Sequence, residues 1–391
     1  MSGLSPAALG GTPAFGDGLA LVRPQIAGRA QLLQRLEGIL DSGMLTNGPT
    51  VRELEETVAA YLGVAHVVAV ANCTAGLMLV YQALGARGPV VLPSFTFAAS
   101  AHAVIWAGGT PEFADVSAES LTLDGASAAG ALEGAVAMSA THVYGTPCDT
   151  ETLQRLADEA GVPLVYDAAH GLGSRRAGVP IGNFGTAEVF SLSPTKVTVA
   201  GEGGLVTTRD AALAETLRIG RDYGNPGDYD CAFPGLNARL SELHAAVALA
   251  SLLGLDERVV HRTRLVDAFW AAVAGVPGLR RPVVAPGDTS TYKDLTVIVD
   301  PAAFGLEVPQ LSSALRAEGA DSRRYYFPPI HRQKAYASYP PTLPLPVTDA
   351  LAEHVLTLPL WSQQSESDAT RLGEVVARLH THAPELAAVL P

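Results

Sequence analysis

One lysine and one glutamate stand in a run that otherwise consists of small, hydroxylated and apolar residues. Lys196 lies in SLSPTKVTVAGEGGLVTT, residues 191–208, between two stretches that are typical of strands. Removing a lone ammonium group from water is costly, and a desolvated lysine has a lowered pKa that makes its amine nucleophilic, as Schiff-base chemistry requires. The commoner alternative is a loop lysine that extends its amine to the surface. Lys196 alone does not distinguish the two.

A carboxylate directly follows another apolar run. Asp167 ends the run PLVYD, and His170 comes three residues later in the same motif, VYDAAHGLG. An unpaired carboxylate would be expensive to bury there. One use for it is to hold a proton on a heterocyclic nitrogen, and the alternative is a helix cap or turn aspartate.

The motif NCTAGL lies between a predicted strand and a predicted helix. Thr74 and the backbone amides at 74–76 would then form a helix N-terminus, where free N–H groups and the helix dipole favour a phosphate. The alternative is an ordinary cap, with Asn72 or Thr74 as the capping residue.

An aromatic pair ends a further predicted strand. Phe95 and Phe97 flank Thr96, and one ring could stack on a planar ligand instead of packing in the core. Together the four motifs supply, in chain order, a phosphate cradle, a stacking ring, a partner for a pyridine nitrogen and a lysine nucleophile. These are the parts needed to hold pyridoxal 5'-phosphate and use it as an electron sink.

The elements that must position these residues alternate along the chain. From about residue 29 to 250, helical stretches alternate with short apolar, β-branched runs. Strands that are apolar without alternation are buried on both faces, which indicates a mostly parallel sheet in a three-layer α/β domain. The four motifs would meet at the carboxyl ends of its strands, where ligands of such sheets bind.

The length of 391 residues exceeds what one core usually supports, so more than one domain is expected. We predict an N-terminal segment at 1–28, a large cofactor-binding domain at 29–254 and a smaller C-terminal α+β domain at 255–391. The stretch 237–275 predicts one long helix that leads out of the large domain.

Composition and charge exclude several classes of protein. A net charge of −13 argues against a nucleic-acid binder. The most apolar window, residues 64–86, is interrupted by polar residues and predicts a strand, a turn and a helix instead of a membrane span. Three scattered cysteines without metal-ligand spacing predict no metal site, and with no evident signal peptide they favour a cytoplasmic location.

The ordered motifs resemble those of one family, the DegT/DnrJ/EryC1/StrS sugar aminotransferases. The resemblance runs from residue 45 to 368 and includes NCTAGL, LPSFTFAASAHAV, VYDAAHGLG, SPTKVTVAGEGGLVTT, GLNARLSELHAAVAL and FPPIHRQKAY. It implies the fold type I, aspartate-aminotransferase-like architecture and a pyridoxal-phosphate-dependent transaminase. Cys73 stands where the family often has glycine, which is compatible with phosphate binding if this position needs no positive φ.

The resemblance also implies roles for individual residues. Lys196 would carry the cofactor and move protons, and Asp167 would pair with the pyridine nitrogen; these two would be catalytic. The other cofactor-binding residues would be His170 near the phenolic oxygen, Phe97 on the ring, Thr74, Ala75 and Ser191 at the phosphate, and Asn237. In the family, an asparagine like Asn237 reaches the phosphate of the neighbouring subunit, which implies a homodimer with a shared active site. The candidates for substrate binding are Arg239, Tyr326 and His331.

The N-terminal stretch GGTPAFGDGLALVRPQ, with NCTAGL and SFTFAASAHAV, is most similar to nucleotide-sugar 4-aminotransferases of antibiotic deoxysugar pathways. These convert dTDP-4-keto-6-deoxy-D-glucose to dTDP-4-amino-4,6-dideoxy-D-glucose with L-glutamate as donor. The diphosphate needs cations, and the candidates that cluster near His331 are Arg323, Arg324, Arg332 and Lys334. The alternatives are a C3 keto-sugar or cyclitol aminotransferase and, in a different class, a regulatory module that binds pyridoxal phosphate or a sugar nucleotide without turnover.

Overall fold

The strands of the fold form three sheets in a computed structural model that describes residues 5–391. The first four residues of the predicted N-terminal segment lie outside the described residues. The strands are β1 (His66–Val70), β2 (Pro89–Pro93), β3 (Thr110–Ala114), β4 (Ala137–Thr141), β5 (Leu164–Asp167), β6 (Arg175–Arg176), β7 (Val179–Pro180), β8 (Ala187–Ser191), β9 (Gly204–Thr208), β10 (Leu279–Arg280), β11 (Leu295–Val299) and β12 (Val355–Leu358).

Helices cover the sheets and connect their strands. They are α1 (Arg29–Ser42), α2 (Pro49–Leu62), α3 (Cys73–Ala83), α4 (Ala99–Trp106), α5 (Gly125–Ala131), α6 (Thr150–Ala160), α7 (Ala211–Gly220), α8 (Glu242–Leu252), α9 (Leu255–Ala272), α10 (Pro301–Phe304), α11 (Val308–Ala317), α12 (Pro346–His354), α13 (Glu366–Thr381) and α14 (Ala383–Val389). Polar caps start several of them, as side chains of Asn72, Asp149 and Ser241 accept backbone N–H groups in the first turns of α3, α6 and α8.

The central sheet has seven strands in the order β1-β9-β8-β5-β4-β2-β3. Four of its pairs are parallel, and β9 runs antiparallel to both of its neighbours. The strands are almost entirely buried, as their unbroken apolar runs predict. The predicted α/β class with a mostly parallel sheet is therefore confirmed. Because β8 and β9 are adjacent and antiparallel, the loop between them, which carries Lys196, returns at the sheet's carboxyl edge.

The predicted long helix over 237–275 is wrong. The chain forms two helices, α8 and α9, that are separated by Leu253 and Gly254. Gly254 has a φ of 68°, in the left-handed region that favours glycine, so the helical hydrogen bonds stop there and restart in a new direction. The apolar pattern continues through this break, and for that reason periodicity alone does not reveal it.

A second core lies in the C-terminal part of the chain, around the antiparallel sheet β10-β11-β12. Helices α9, α11 and α13 bury apolar residues against it, and Phe15 and Leu19 from the N-terminal stretch join the same core. The backbone of this stretch is fixed there, because Leu19 donates its N–H to the Gly319 carbonyl at 2.7 Å. The domain boundaries at 28/29 and 254/255 stay predictions.

Within residues 5–391, no helix combines the length and the apolar character that crossing a membrane requires.

Candidate active site

A cavity of about 760 Å³ opens at the carboxyl edge of the central sheet. The strands β1, β4, β5 and β8 point their carboxyl ends at it, so the residues that follow them line its wall. All eight residues predicted to bind the cofactor lie in this wall: Thr74, Ala75, Phe97, Asp167, His170, Ser191, Lys196 and Asn237. The structure therefore brings the four sequence motifs to one place, while the role of each residue stays a prediction.

The reactive candidate Lys196 lies in the loop between β8 and β9. Its side chain is part-buried in the cavity wall. Burial is the main cause that lowers the pKa of Lys196 to about 8, the positive charge of Lys293 lowers it further, and the carboxylates of Asp294 and Asp167 oppose the shift. About a tenth of the amine is thus uncharged at pH 7, and this form is able to act as a nucleophile.

The carboxylate of Asp167 is buried at the end of β5 and is fixed by hydrogen bonds. Its Oδ2 accepts from Ser100 Oγ at 2.6 Å, and its Oδ1 accepts from the Ala169 N–H at 3.1 Å. The thiol of Cys73 lies 3.9 Å from Oδ1. These donors fix the orientation of the carboxylate, the group that would hold a proton on a heterocyclic nitrogen.

The imidazole of His170 is neutral and oriented. Its Nδ1 accepts the Tyr144 backbone N–H at 3.1 Å, which leaves the ring proton on Nε2. Burial lowers the pKa of His170 well below its ordinary value, and the charges of Lys196 and Lys293 lower it further. The side chain can therefore donate a hydrogen bond from Nε2 to an oxygen atom in the cavity.

The N-terminus of α3 lies at the cavity wall. Asn72 caps the helix, because its Oδ1 accepts the Ala75 N–H at 2.8 Å. Asn72 can cap the helix while Thr74 binds an anion. The N–H of Ala75 already donates to Asn72, so Ala75 would attract an anion through the helix dipole alone. Cys73 is not in the left-handed region, so the departure from glycine causes no backbone strain. The sheet approaches closely here: a Cβ on Gly204 would lie 2.6 Å from the carbonyl carbon of Asn72.

The two phenylalanines that flank Thr96 have opposite environments. Phe95 is fully buried and packs in a core cluster, whereas Phe97 is 62% exposed at the cavity. The structure thus identifies Phe97 as the ring that is free to stack on a ligand.

The three substrate candidates are placed differently. Tyr326 lines the cavity, but Arg239 and His331 do not. Arg239 pairs with Asp222 at 3.0 Å, and His331 contacts Ser94 Oγ at 2.7 Å and Asp349 at 3.1 Å. Two of the cations proposed for the diphosphate are also paired, since Arg324 binds Glu353 at 2.8 Å and Arg332 binds Asp349 at 2.7 Å. Substrate binding by these residues stays a prediction.

Several residues of the wall were not found from the sequence, among them Thr141, Lys293, Asp294 and Tyr325. Lys293 and Asp294 stand directly before β11, so two opposite charges next to a fully buried strand were the available signal. Ser100 was also missed, although Thr96 and Ser100 place two hydroxyls one helical turn apart at the start of α4. Among residues 5–391, no group of His, Cys, Asp or Glu side chains is arranged to hold a metal ion.

Comparison with known proteins identifies similar transaminases over nearly the whole chain. A sequence model of the DegT/DnrJ/EryC1/StrS aminotransferase family matches residues 27–377. The dTDP-3-amino-3,4,6-trideoxy-alpha-D-glucose transaminase of Streptomyces venezuelae is 34% identical over 89% of this chain and 92% of that protein. The dTDP-4-amino-4,6-dideoxy-D-glucose transaminase of Escherichia coli is 29% identical over 92% of this chain and 98% of that protein.

A solved structure shows the same architecture. The crystal structure of DesI in the presence of its TDP-sugar product superposes with a TM-score of 0.92. The sequences are 38% identical, and the match covers 98% of each chain. The similar proteins thus share a fold and a class of reaction, but their names include both 3-amino and 4-amino sugars.

Proposed function

Since this chain belongs to the DegT/DnrJ/EryC1/StrS aminotransferase family, whose members are pyridoxal-phosphate-dependent sugar aminotransferases, we propose that it transfers an amino group from L-glutamate to a nucleotide-linked keto-deoxysugar. The acceptor that we favour is dTDP-4-keto-6-deoxy-D-glucose, which would become dTDP-4-amino-4,6-dideoxy-D-glucose in deoxysugar and antibiotic biosynthesis. The observation that carries the proposal is one cavity that contains both Lys196, with its lowered pKa, and the buried carboxylate of Asp167.

The residues of the cavity fit pyridoxal 5'-phosphate. They offer an amine, a carboxylate fixed for a ring nitrogen, an exposed aromatic ring and a helix N-terminus for a phosphate. The hydroxyl oxygen of Thr141 is buried in the same wall without a hydrogen-bond partner among the described residues, as expected of a surface that faces a ligand. When bound, the cofactor withdraws electrons from the carbon that loses its proton.

The chain's own residues would perform the remaining steps. The Lys196 amine would attach the cofactor aldehyde, and once released it would take the proton from Cα of the donor and deliver it on the cofactor side. Asp167 would keep the ring nitrogen protonated, and His170 would donate from Nε2 to the phenolic oxygen. Phe97 would stack on the ring. In the second half-reaction the same residues would act in reverse on the keto-sugar.

The phosphate would lie at the start of α3, with Thr74, Ala75 and Ser191 around it. Asn237 is exposed at the cavity rim, where a phosphate bound in a second subunit could reach it. We therefore propose a homodimer in which each subunit completes the other's site. Exposed apolar side chains are available for such an interface in and after α1 and near Asn237; they include Leu33, Leu40, Met44, Leu45 and Tyr223.

The shared site has a direct test. Lys196→Ala and Asn237→Ala homodimers would each be inactive or nearly so, and mixed dimers of the two would contain one intact site. Recovery of activity on mixing, with sedimentation showing dimers, supports the proposal. A monomeric protein, or mixed dimers without activity, would reject it.

The amino position rests on sequence similarity. The motifs that favour the 4-amino product are supported by the name of the Escherichia coli relative, whereas the name of the Streptomyces relative favours the alternative of a C3 keto-sugar. We also propose a cytoplasmic location, which suits three free cysteines, one of them exposed.

The test is a pair of half-reactions. L-glutamate should bleach the absorbance of the cofactor–lysine adduct, and a keto-sugar nucleotide should restore it. A panel of dTDP-linked 3-keto and 4-keto sugars, with products identified by NMR, decides the position. Bleaching without restoration by any keto-sugar would reject the proposed acceptor class, and no bleaching would reject the donor.

A further inference from the structure

A buried lysine, Lys293, lies in the wall of the same cavity as Lys196. Its side chain is 4% exposed, and its Nζ pairs with Asp294 Oδ1 at 2.7 Å. The Asp294 side chain is 2% exposed, and its other oxygen has no hydrogen-bond partner among the described residues. Lys293 and Lys196 also line a second, small pocket together, so they are neighbours. Burying an ion pair is costly, which makes a purely structural role for it a weak explanation.

The backbone around Lys293 is fixed by a buried arginine. Arg262 donates from Nε to the carbonyl of Tyr292 at 2.9 Å and from Nη2 to the carbonyl of Lys293 at 2.9 Å. Lys293 donates its own N–H to the Tyr144 carbonyl at 2.9 Å. All three nitrogens of the Arg262 guanidinium donate hydrogen bonds to carbonyl or hydroxyl oxygens. The backbone of Lys293 is therefore fixed on both sides, and its ammonium is held by Asp294.

The charges around Lys196 come from several elements. Those that line its two cavities or act on its charge are Arg23, Cys73, Asp167, His170, Glu202, Arg262, Lys293, Asp294, Tyr325 and Tyr326. Asp167 is occupied by Ser100, and Asp294 is occupied by Lys293. Neither carboxylate thus forms an ion pair with Lys196, while a fixed ammonium stands beside it.

We propose that Lys293 is a positioning residue that raises the share of free amine at Lys196 by like-charge repulsion, with Asp294 as the counter-charge that limits the effect. The proposal rests on the proposed function only in naming Lys196 as the reactive amine. A like charge in a poorly solvated cavity disfavours a second ammonium, and each unit by which a pKa falls raises the ratio of free amine to ammonium about tenfold. The directions of the shifts agree, because after burial the charge of Lys293 is the largest influence that lowers the pKa of Lys196, and Asp294 raises it.

The test measures the amine itself, without cofactor or substrate. Apoenzyme is labelled with a trace of acetic anhydride across a pH series, and the acetylated Lys196 peptide is quantified by mass spectrometry. The wild-type protein should titrate near the pKa of about 8. Lys293→Met should raise this value by about one unit, Lys293→Arg should leave it in place, and Asp294→Asn should lower it. Arg155→Met, at an exposed cation of α6, is the matched control and should have no effect on the pKa of Lys196.

The opposite signs separate an electrostatic effect from local unfolding. If either substitution loosened the site, the pKa of Lys196 would shift towards its value in water. The pKa of Lys196 would then rise in both variants. The double variant Lys293→Met/Asp294→Asn contains no unpaired buried charge. We expect the pKa of Lys196 in this variant to stay above the wild-type value. An unchanged value in Lys293→Met, or upward shifts in both single variants, would overturn the proposal. Because labelling needs no turnover, this result and that of the half-reactions can fail independently.

Discussion

The hydroxyl of Ser100 donates a hydrogen bond of 2.6 Å to Oδ2 of Asp167. The two residues are 67 positions apart in the chain, one in the first turn of α4 and the other at the end of β5. Both are buried. The contact orients the carboxylate that the proposed mechanism needs, so the start of α4 is part of the active site although Ser100 itself does not line the cavity.

Replacement of Ser100 by alanine should therefore slow the glutamate half-reaction. A hydrogen bond to a buried charge contributes about 1.5–3 kcal/mol, so a loss of roughly tenfold to a hundredfold in rate is expected. Stopped-flow absorbance of the holoenzyme measures it. The matched control is Thr96→Val, which removes a hydroxyl 3.2 Å from Ser100 Oγ but not one bound to Asp167. Equal rates in wild type and Ser100→Ala would contradict this role.

Phe97→Ala should weaken cofactor binding without destabilising the protein. The ring is 62% exposed, so its removal leaves no cavity in the core, whereas stacking on a bound ring would be lost. We expect roughly tenfold weaker binding of pyridoxal phosphate, measured by titration of the apoenzyme, and an unchanged free energy of unfolding. Phe95→Ala is the contrasting variant: that ring is fully buried, and its loss should cost about 3–5 kcal/mol of stability.

Lys196→Met should stabilise the apoenzyme near neutral pH. Folding lowers the pKa of this lysine from 10.5 to about 8, so below pH 8 both states carry the ammonium, but only the folded state holds it in a poorly solvated place where it is unfavourable. Between these two values unfolding takes up a proton, and the stability of the wild type rises with pH. The variant lacks this cost and should be roughly 1–3 kcal/mol more stable at about pH 7.

The difference in stability between Lys196→Met and the wild type should be smaller at about pH 9.5, where Lys196 has lost its proton in most of the folded wild-type protein. Urea unfolding of both apoproteins at the two pH values measures the difference. A stability difference that stays constant with pH would show that the pKa of Lys196 is not lowered by folding.

Glu242 should prove one of the costliest polar residues to replace. It begins α8, and its buried carboxylate accepts the N–H groups of Gly48, Thr50 and Val51 at 2.7–2.9 Å, which caps the start of α2. Glu242→Ala leaves these donors without a partner and should lower the free energy of unfolding by about 2–4 kcal/mol. Glu53→Ala, in an exposed pair with Arg35, should change it by less than about 1 kcal/mol.

Much of the fold was predictable because its signals are local. Unbroken apolar runs such as HVVAV and PLVYD predict strands buried on both faces, and the helices between them predict a mostly parallel sheet. The break at Gly254 was missed because one glycine inside an apolar helical pattern does not reveal whether its φ is positive. The joining of Phe15 and Leu19 to the C-terminal core was missed because nothing near them in the sequence indicates a distant partner.

The residues of the site likewise divide into those that the sequence indicates and those that it does not. Lys196, Asp167 and Thr74 follow strands directly, and strand topology brings such residues to one edge of a sheet. Ser100 contacts Asp167 across 67 positions of the chain, and Lys293 and Asp294 stand directly before β11, far in sequence from the other wall residues. Their part in the site depends on how α4 and β11 pack against the cavity, which no local pattern specifies.

The central claim is that Lys196, and not its buried neighbour Lys293, is the amine that carries the cofactor. Borohydride reduction of the holoenzyme, followed by peptide mapping in a mass spectrometer, tests it directly. We expect the phosphopyridoxyl group on the peptide that contains Lys196, its absence after prior addition of L-glutamate, and no adduct in Lys196→Ala. An adduct on Lys293, or one that persists in Lys196→Ala, would contradict the account.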